Sequence, residues 1–476
     1  MQLGGRVIFA VLLSAQTLVP QFLAQGDLTA NAKQPWYRLV DMGTFGGPVS
    51  MVFGGAGNLN QQQTLVTSCA DTSLLDPNWP NTNPFFGDDP YVQHAFRTRR
   101  GSLHDLGALP AGTSSCGQAI NSGGVVAGFS TNGEIDPLTG FAQIHAVRWQ
   151  GENILDLGTL GGNESYANFI NDRGQITGGA LNAIPDPFTS ELFIGATQVH
   201  AFLWEHGAMQ DLGTLGGPDS SGYYLNERGE IAGQSFTNDV PNETTGIPTL
   251  DPFLWRNGRM LDLGSLGGTF GVPDALNNHG QVVGGSTLAG EEAFHPFLWE
   301  KGTIRDLGTF GGSFGEAFGI NDDGAIVGKA YFPGDERWDA FVWRRGVLTD
   351  LGNLGCTSTA YSINASGQIV GTSRLADCQT VHAVLWESGS IDDLNNLIPP
   401  GSGLELYETH SINDAGVIAG NGLPPGCDDV HVCGHAYILF PCDEDRPAEC
   451  KNEFLGQQLN ILPASCCSEI GCAAGE

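Results

Sequence analysis

Apolar residues along this chain fall in short runs, cut at intervals by glycine, asparagine and aspartate. Runs of roughly four to eight residues bounded by turn residues are strand-length, because helices need longer stretches. Residues 200–235 display the pattern most fully. A first apolar run spans Ala201 to Trp204, His206 and Gly207 mark a turn, and a second run ends at Asp211, Leu212 and Gly213. After Gly216 and Gly217, a third run ends at Asn226, a turn passes through Gly229, and a fourth run covers Ile231 to Ser235. A hairpin turning at His206 and Gly207 sets Phe202 opposite Asp211 and makes His200 and Asp211 diagonal neighbours. The stretch reads as one unit of four strands.

That unit recurs. First strands start at His94, His145, His200, Asp251, His295, Asp339, His382 and His435. Second strands close on Asp41, Asp105, Asp156, Asp211, Asp262, Asp306, Asp350 and Asp393. Third strands end on Asn121, Asn171, Asn226, Asn277, Asn321, Asn364 and Asn413, with Asn60 or Asn58 in a worn first copy. Successive aspartates lie 64, 51, 55, 51, 44, 44 and 43 residues apart, so the unit is about 44 residues plus insertions. Four strands at that period predict the blade of a β-propeller. The chain enters on a second strand, Trp36 to Gly43, and leaves on a first strand, His435 to Phe440. Pairing the two would complete the split unit and abolish a free sheet edge. The expectation is an all-β, eight-bladed propeller over residues 33–440, closed by its N- and C-terminal strands; the alternative is seven blades with the worn unit left outside.

The insertions, at roughly 70–92, 129–143, 181–199 and 236–250, all separate a fourth strand from the next first strand. Loops at one topological position emerge on one face, which makes that face the expected binding face. Phe85, Phe86, Phe141, Phe188, Phe193 and Phe236 lie in them, either as exposed recognition groups or as anchors of their own loops.

Composition adds compartment and partners. Glycine, at 69 of 476 residues, is about twice its usual share, which suits many tight turns. The net charge of -32 repels phosphate backbones and anionic lipid, so no nucleic acid is expected as a partner. Arg6 followed by the apolar stretch from Val7 to Leu13 reads as a secretory signal, residues 1–32, with cleavage after Ala24 or Ala32. No other stretch is long and apolar enough for a membrane span. The expected location is secreted, cell-surface or periplasmic.

Of 11 cysteines, Cys427, Cys433, Cys442, Cys450, Cys466, Cys467 and Cys472 crowd the last fifty residues, and in an exported protein they read as disulfides stapling the C-terminal end, with residues 441–476 as a Cys-rich tail. Their spacings are too wide for a zinc knuckle. Cys356 with Cys378, and Cys69 with Cys116, are the candidate pairs within the repeats.

In its HAFLW, glycine turn, DLGTLGG and IN..G.I.G, the chain resembles the HAF-repeat family of extracellular repeat proteins over residues 36–440. The resemblance implies export and a β-repeat architecture, and it supplies no reaction or ligand. Asp251 and Asp339 depart from its histidine.

Chemistry that repeats eight times argues for structure, because a catalytic group should stand out from its copies. The His and Asp therefore read as polar ties or turn caps. The Trp at 149, 204, 255, 299, 343 and 386 reads as packing. No catalytic, cofactor-binding or metal-ligating residue is singled out; calcium is the one cofactor that the acidity leaves open. The Asn-Asp-Asp-Gly at 321–324 is no EF-hand, since Phe332 stands where a bidentate Glu belongs. The reading is a non-enzymatic binding or scaffolding module for an extracellular protein or polysaccharide. One alternative is an extracellular carbohydrate-active hydrolase or lyase, which a non-repeated cluster of carboxylates, Tyr or Arg at a central channel would favour. The other is a structural cell-surface protein cross-linked through its tail.

Overall fold

Thirty-two strands organise the computed structural model, which describes residues 37–442 apart from 54–56, 62–64, 100–101, 187, 189–196 and 244. The proposed signal, residues 1–32, and the tail beyond Cys442 lie outside the described residues, as do Trp36 and Phe193. The described residues belong to one unit, Pro35–Glu476.

The chain is all-β in its sheets. Among the described residues, strands form six four-stranded sheets and one of eight. The eight-stranded sheet is two four-stranded halves joined by a single parallel pairing, Leu250 with Phe270. Each unit is antiparallel, as in Ser165–Ile170, Ile176–Pro185, Thr197–Glu205 and Ala208–Asp211. The hairpin register is the expected one, with Phe202 opposite Asp211. Its turn puts His206 (φ 53°) and Gly207 (φ 83°) both in the left-handed region, the two-residue geometry that matches strand twist. The glycine two residues into the second strand of most units has a different cause. A Cβ on Gly178 would sit 1.9 Å from the Tyr166 carbonyl oxygen, where the inner strand bulges between Ala167 and Phe169.

The phase of the unit differs from the expected one. Residues 200–235 are not one sheet: they supply the outer two strands of one unit and the inner two, Ser220–Leu225 and Ile231–Phe236, of the next. The ladder explains why. Ile176–Pro185 pairs with Thr197–Glu205 from Ile176–Trp204 through Leu181–Val199, so the insertion bridges two strands of the same sheet. The glycine-rich link from Leu212 to Asp219 makes no ladder and steps to the neighbouring sheet.

The first and last described strands pair as expected. Tyr37–Asp41 lies antiparallel to His435–Pro441, from Tyr37 opposite Pro441 to Asp41 opposite Tyr437, and so is the outermost strand of the last unit.

Core residues lie between sheets. Trp204, Phe202, Ile170 and Ile176 of one unit pack on Ala119, Ala127, Ala146 and Leu157 of the preceding one. Trp149, Trp204, Trp299, Trp343 and Trp386 are buried and Trp255 is half-buried, so the repeated tryptophan is packing. Disulfides join Cys69 to Cys116, Cys356 to Cys378 and Cys427 to Cys433. The first links two neighbouring sheets. Among the described residues, no helix is long and apolar enough to cross a membrane.

Candidate functional site

The repeated His and Asp meet as ties. Nδ1 of His94, His145, His200, His295, His382 and His435 lies 2.7–3.0 Å from a carboxylate oxygen of Asp105, Asp156, Asp211, Asp306, Asp393 and Asp41, respectively. Each aspartate also caps its own turn; the Gly213 N–H donates to Asp211 at 2.7 Å. Where Asp replaces His, the two positions solve the problem differently. Asp339 accepts from Arg337 and, at 2.7 Å, from Asn353 Nδ2. Asp251 has an unpartnered Oδ1, and burial together with the nearby Asp262 carboxylate raises its pKa to about 7.

The asparagines do more than end strands. Nδ2 of Asn60 donates to the Asn121 carbonyl (3.4 Å), Asn121 to Asn171 (3.1 Å), Asn171 to Asn226 (3.0 Å) and Asn226 to Asn277 (3.0 Å). Asn277 donates to Asn321 (3.1 Å), Asn321 to Asn364 (3.0 Å), Asn364 to Asn413 (3.0 Å), and Asn413 back to Asn60 (3.2 Å). Their Oδ1 atoms meanwhile cap their own turns, as for Asn413 with the N–H groups of Ala415 and Val417 at 3.0 Å. Sequence reasoning found the residues and missed this bridge. A signal was present: the position is always Asn and never Asp. Either would cap a turn, but only the amide carries a donor.

The residue after most of these asparagines builds a second tier of bonds on the same end. The Ser122 N–H donates to Asp172 (2.7 Å), Asp172 to Glu227 (2.9 Å), Asn278 to Asp322 (2.9 Å) and Ala365 to Asp414 (2.8 Å). These four carboxylates rim a cavity of about 360 Å³, whose lining contains no Lys or Arg. Arg228 stands just outside, tied to Glu230 and to the Asn278 carbonyl.

Beneath the rim lies a second cavity of about 330 Å³ that shares Leu59, Leu225, Leu276, Ile320 and Ile363 with it. Three residues before each asparagine, the inner strands present Gln118, Asn168, Tyr223, Asp274, Phe318, Tyr361 and His410. The positions are repeat-equivalent and the residues on them are not. Phe169, Tyr224, Phe318, Tyr361, Asp274 and His410 line the lower cavity, again without Lys or Arg. Burial, reinforced by Glu316, holds the Asp274 carboxyl well above the usual range, and its Oδ2 has no hydrogen-bond partner. The His410 Nε2 lies 3.2 Å from Glu408 Oε1, while its Nδ1 is unpartnered. Lys329 lies behind the wall, 3.7 Å from Glu316 and over the rings of Phe314 and Phe318.

On the insertion-loop face, at the opposite end of the sheets, the aromatics take the second of their two expected roles, as anchors. Phe86 and Phe236 are buried in one cluster with Phe129, Ile144 and Tyr166, and Phe85 packs against it. Phe85 and Phe86 reach Tyr166 and Phe129 at centroid distances of 4.6 and 5.2 Å. Phe141 and Phe188 are half-buried. The aromatics anchor their loops. Burial raises Asp71 to about 8, with Asp89 adding to it, and raises Glu164 and Asp219 to about 7. Among the described residues, no group of three or more His, Cys, Asp or Glu is placed to hold a metal ion.

No protein-family model and no curated protein matches the chain. Among solved structures, it is similar to the β-propeller domain of the Trilobed protease from Pyrococcus furiosus. That match has 8% identity and a TM-score of 0.40, and covers 73% of this chain and 97% of that one. It is also similar to dipeptidyl peptidase 4 of Porphyromonas gingivalis, with 12% identity, a TM-score of 0.41, and coverage of 71% of this chain and 54% of that one. TolB from Acinetobacter baumannii matches with 10% identity, a TM-score of 0.32, and coverage of 63% and 76%.

Proposed function

We propose that this chain is an exported eight-bladed β-propeller, a HAF-repeat protein, that acts as a non-enzymatic binding module through its central cavity. The observation that carries the reading is the circuit of eight asparagine bonds, which starts and ends at Asn60 and surrounds the acidic mouth. An open stack of units would have no partner for Asn413. The pairing of Tyr37–Asp41 with His435–Pro441 supports the same closure. Three disulfides support an oxidising compartment. The insertion face is a weaker binding candidate than the sequence suggests, because its aromatics are engaged in packing.

A second reading is a carbohydrate-active hydrolase or lyase. What favours it is the non-repeated group of Asp274, Glu316, Tyr361 and His410, in which a proton-holding carboxyl could serve as a general acid. One experiment separates the readings. The purified protein and the variant Ser362→Phe are screened against glycans, cell-wall polymers and small organic ligands, with calcium and with chelator. Ser362 lines the lower cavity at the position that carries Phe169 and Tyr224 in other units, so the fold accommodates the aromatic ring while the cavity is filled. Binding without product, lost in Ser362→Phe, is the expected result. Turnover would transfer the case to the enzyme, and binding indifferent to Ser362→Phe would refute the cavity as the site.

A further inference from the structure

Resting on the cavity reading above, we infer that the ligand is an organic cation, an ammonium group carried on a small apolar body. The walls argue for each half of that description. Phe169, Tyr224, Phe318 and Tyr361 offer ring surface, and a cation over an aromatic face is attracted by the ring's quadrupole. Leu59, Ile320 and Ile363 supply the contact for an apolar body. A volume of about 330 Å³ is at the small end of the range for ligand pockets.

Two polar atoms of the lining lack a partner within the fold. Oδ2 of Asp274 is buried without a partner, a state that native structures avoid unless something supplies the hydrogen. Nδ1 of His410, whose Nε2 lies 3.2 Å from Glu408 Oε1, is unpaired too. Positive charge beside Asp274 favours the ionised carboxylate that burial and Glu316 otherwise disfavour, and N–H groups satisfy its unpartnered oxygen, whereas an anion would add to the charge that already keeps the carboxyl from ionising. Lys329, the nearby cation, is already engaged by Glu316 and by the rings of Phe314 and Phe318.

The entrance points the same way. Asp172, Glu227, Asp322 and Asp414 rim the mouth with no basic residue in its lining, and a mouth of one sign concentrates the opposite charge. These carboxylates bond to backbone N–H groups around the rim, so they are fixed in place. A bare divalent metal is a poorer fit, because the lower cavity offers one carboxylate among rings and aliphatic side chains.

The test is calorimetric titration at pH 8 with choline, benzyltrimethylammonium, and 3,3-dimethylbutan-1-ol, the uncharged isostere of choline. The wild type is compared with Asp274→Asn and Ser362→Phe. The expected result is binding of both ammonium compounds, with the neutral isostere at least tenfold weaker. Asp274→Asn should lose about tenfold in affinity, and Ser362→Phe should abolish binding. Raising the salt should weaken the cations and leave the isostere unchanged. If Asp274→Asn fails to fold, the isostere and salt comparisons on the wild type decide alone. Equal affinity for choline and its isostere would overturn the cation. So would a neutral glycan that Ser362→Phe excludes while both ammonium compounds fail, although the cavity reading would then stand. If no compound of either kind binds in a manner sensitive to Ser362→Phe, both fall.

Discussion

Replacing Asn413 by aspartate, with Asn321→Asp in parallel, separates the two jobs of the asparagine side chain. The turn cap survives, because a carboxylate oxygen can accept from the N–H groups of Ala415 and Val417, 3.0 Å away, as the amide oxygen does. The bridge does not. Nδ2 donates to the Asn60 carbonyl at 3.2 Å, and in the variant two acceptors would face each other at a site 1% exposed. An unpaired buried carbonyl costs about 1–3 kcal/mol, and a buried charge adds to that until the group takes up a proton. About 3 kcal/mol is therefore expected at pH 8. With roughly 2.1 cal/mol/K of unfolding entropy per residue over about 400 residues, this lowers Tm by about 3–4 °C. The new carboxyl has a folded pKa above its unfolded value of about 3.9. Its penalty is thus small below about pH 4, where the O–H replaces the amide donor, and grows as pH rises through the folded pKa. Asn321, which donates to Asn364 at 3.0 Å and caps Ala325 at 3.0 Å, should behave alike. Scanning calorimetry at pH 4.5 and 8, against wild type at the same pH, reads both. If Asn413→Asp melts like wild type at pH 8 while Asn321→Asp does not, the circuit does not close at its seam and the eight-unit ring is wrong.

Removing the inter-sheet disulfide with Cys69→Ala and Cys116→Ala releases a constraint over a separation of 47 residues, for which chain entropy predicts about 4 kcal/mol; an unchanged melting temperature in non-reducing buffer would contradict it. Asp251, raised to about 7 by burial and Asp262, stabilises the fold while protonated, and that contribution is lost as pH rises from about 4 through about 7. Asp251→Asn should therefore exceed wild type in urea resistance at pH 8 and show no advantage at pH 4. The His–Asp ties carry a two-sided signature. Their hydrogen bond raises His94 and His382 above 6.5, so that contribution is full below 6.5 and fades above it; Asp105 and Asp393, held below 3.8 by the same bond, lose theirs as pH falls. Asp105→Asn with Asp393→Asn should cost most between about pH 4 and 6.5, and a uniform cost across pH would refute the pairing.

Local signals were legible in the sequence and assembly was less so. The turn at His206 and Gly207 and the facing of Phe202 and Asp211 follow from strand alternation and turn chemistry, which act over a few residues. The two chain ends were matched because each lacked what the other had. The sheet boundaries were misplaced because an insertion such as residues 186–196 hides the strand pairing on either side of it, while the compact DLGTLGG link looks internal to a unit. The cavity was missed for a different reason. Tyr223, Asp274, Phe318, Tyr361 and His410 stand at one repeat position but have no single residue type in common, so a search for what recurs passes over them. Phe86 and Phe236 were open to two readings because an aromatic residue in a loop suits anchoring and recognition alike, and only the neighbours in the fold decide.

In the proposed ring, the pairing of Tyr37 with Pro441 would make the order of the units a matter of where the chain is cut. The start of one strand lies beside the end of its antiparallel neighbour, so a turn of a few residues could join them as in any hairpin. A permuted chain that opens instead within the insertion at residues 236–250 would keep every sheet. Loss of order in the present chain should accordingly begin by unzipping one peripheral strand, with the sheets behind it released afterwards in sequence.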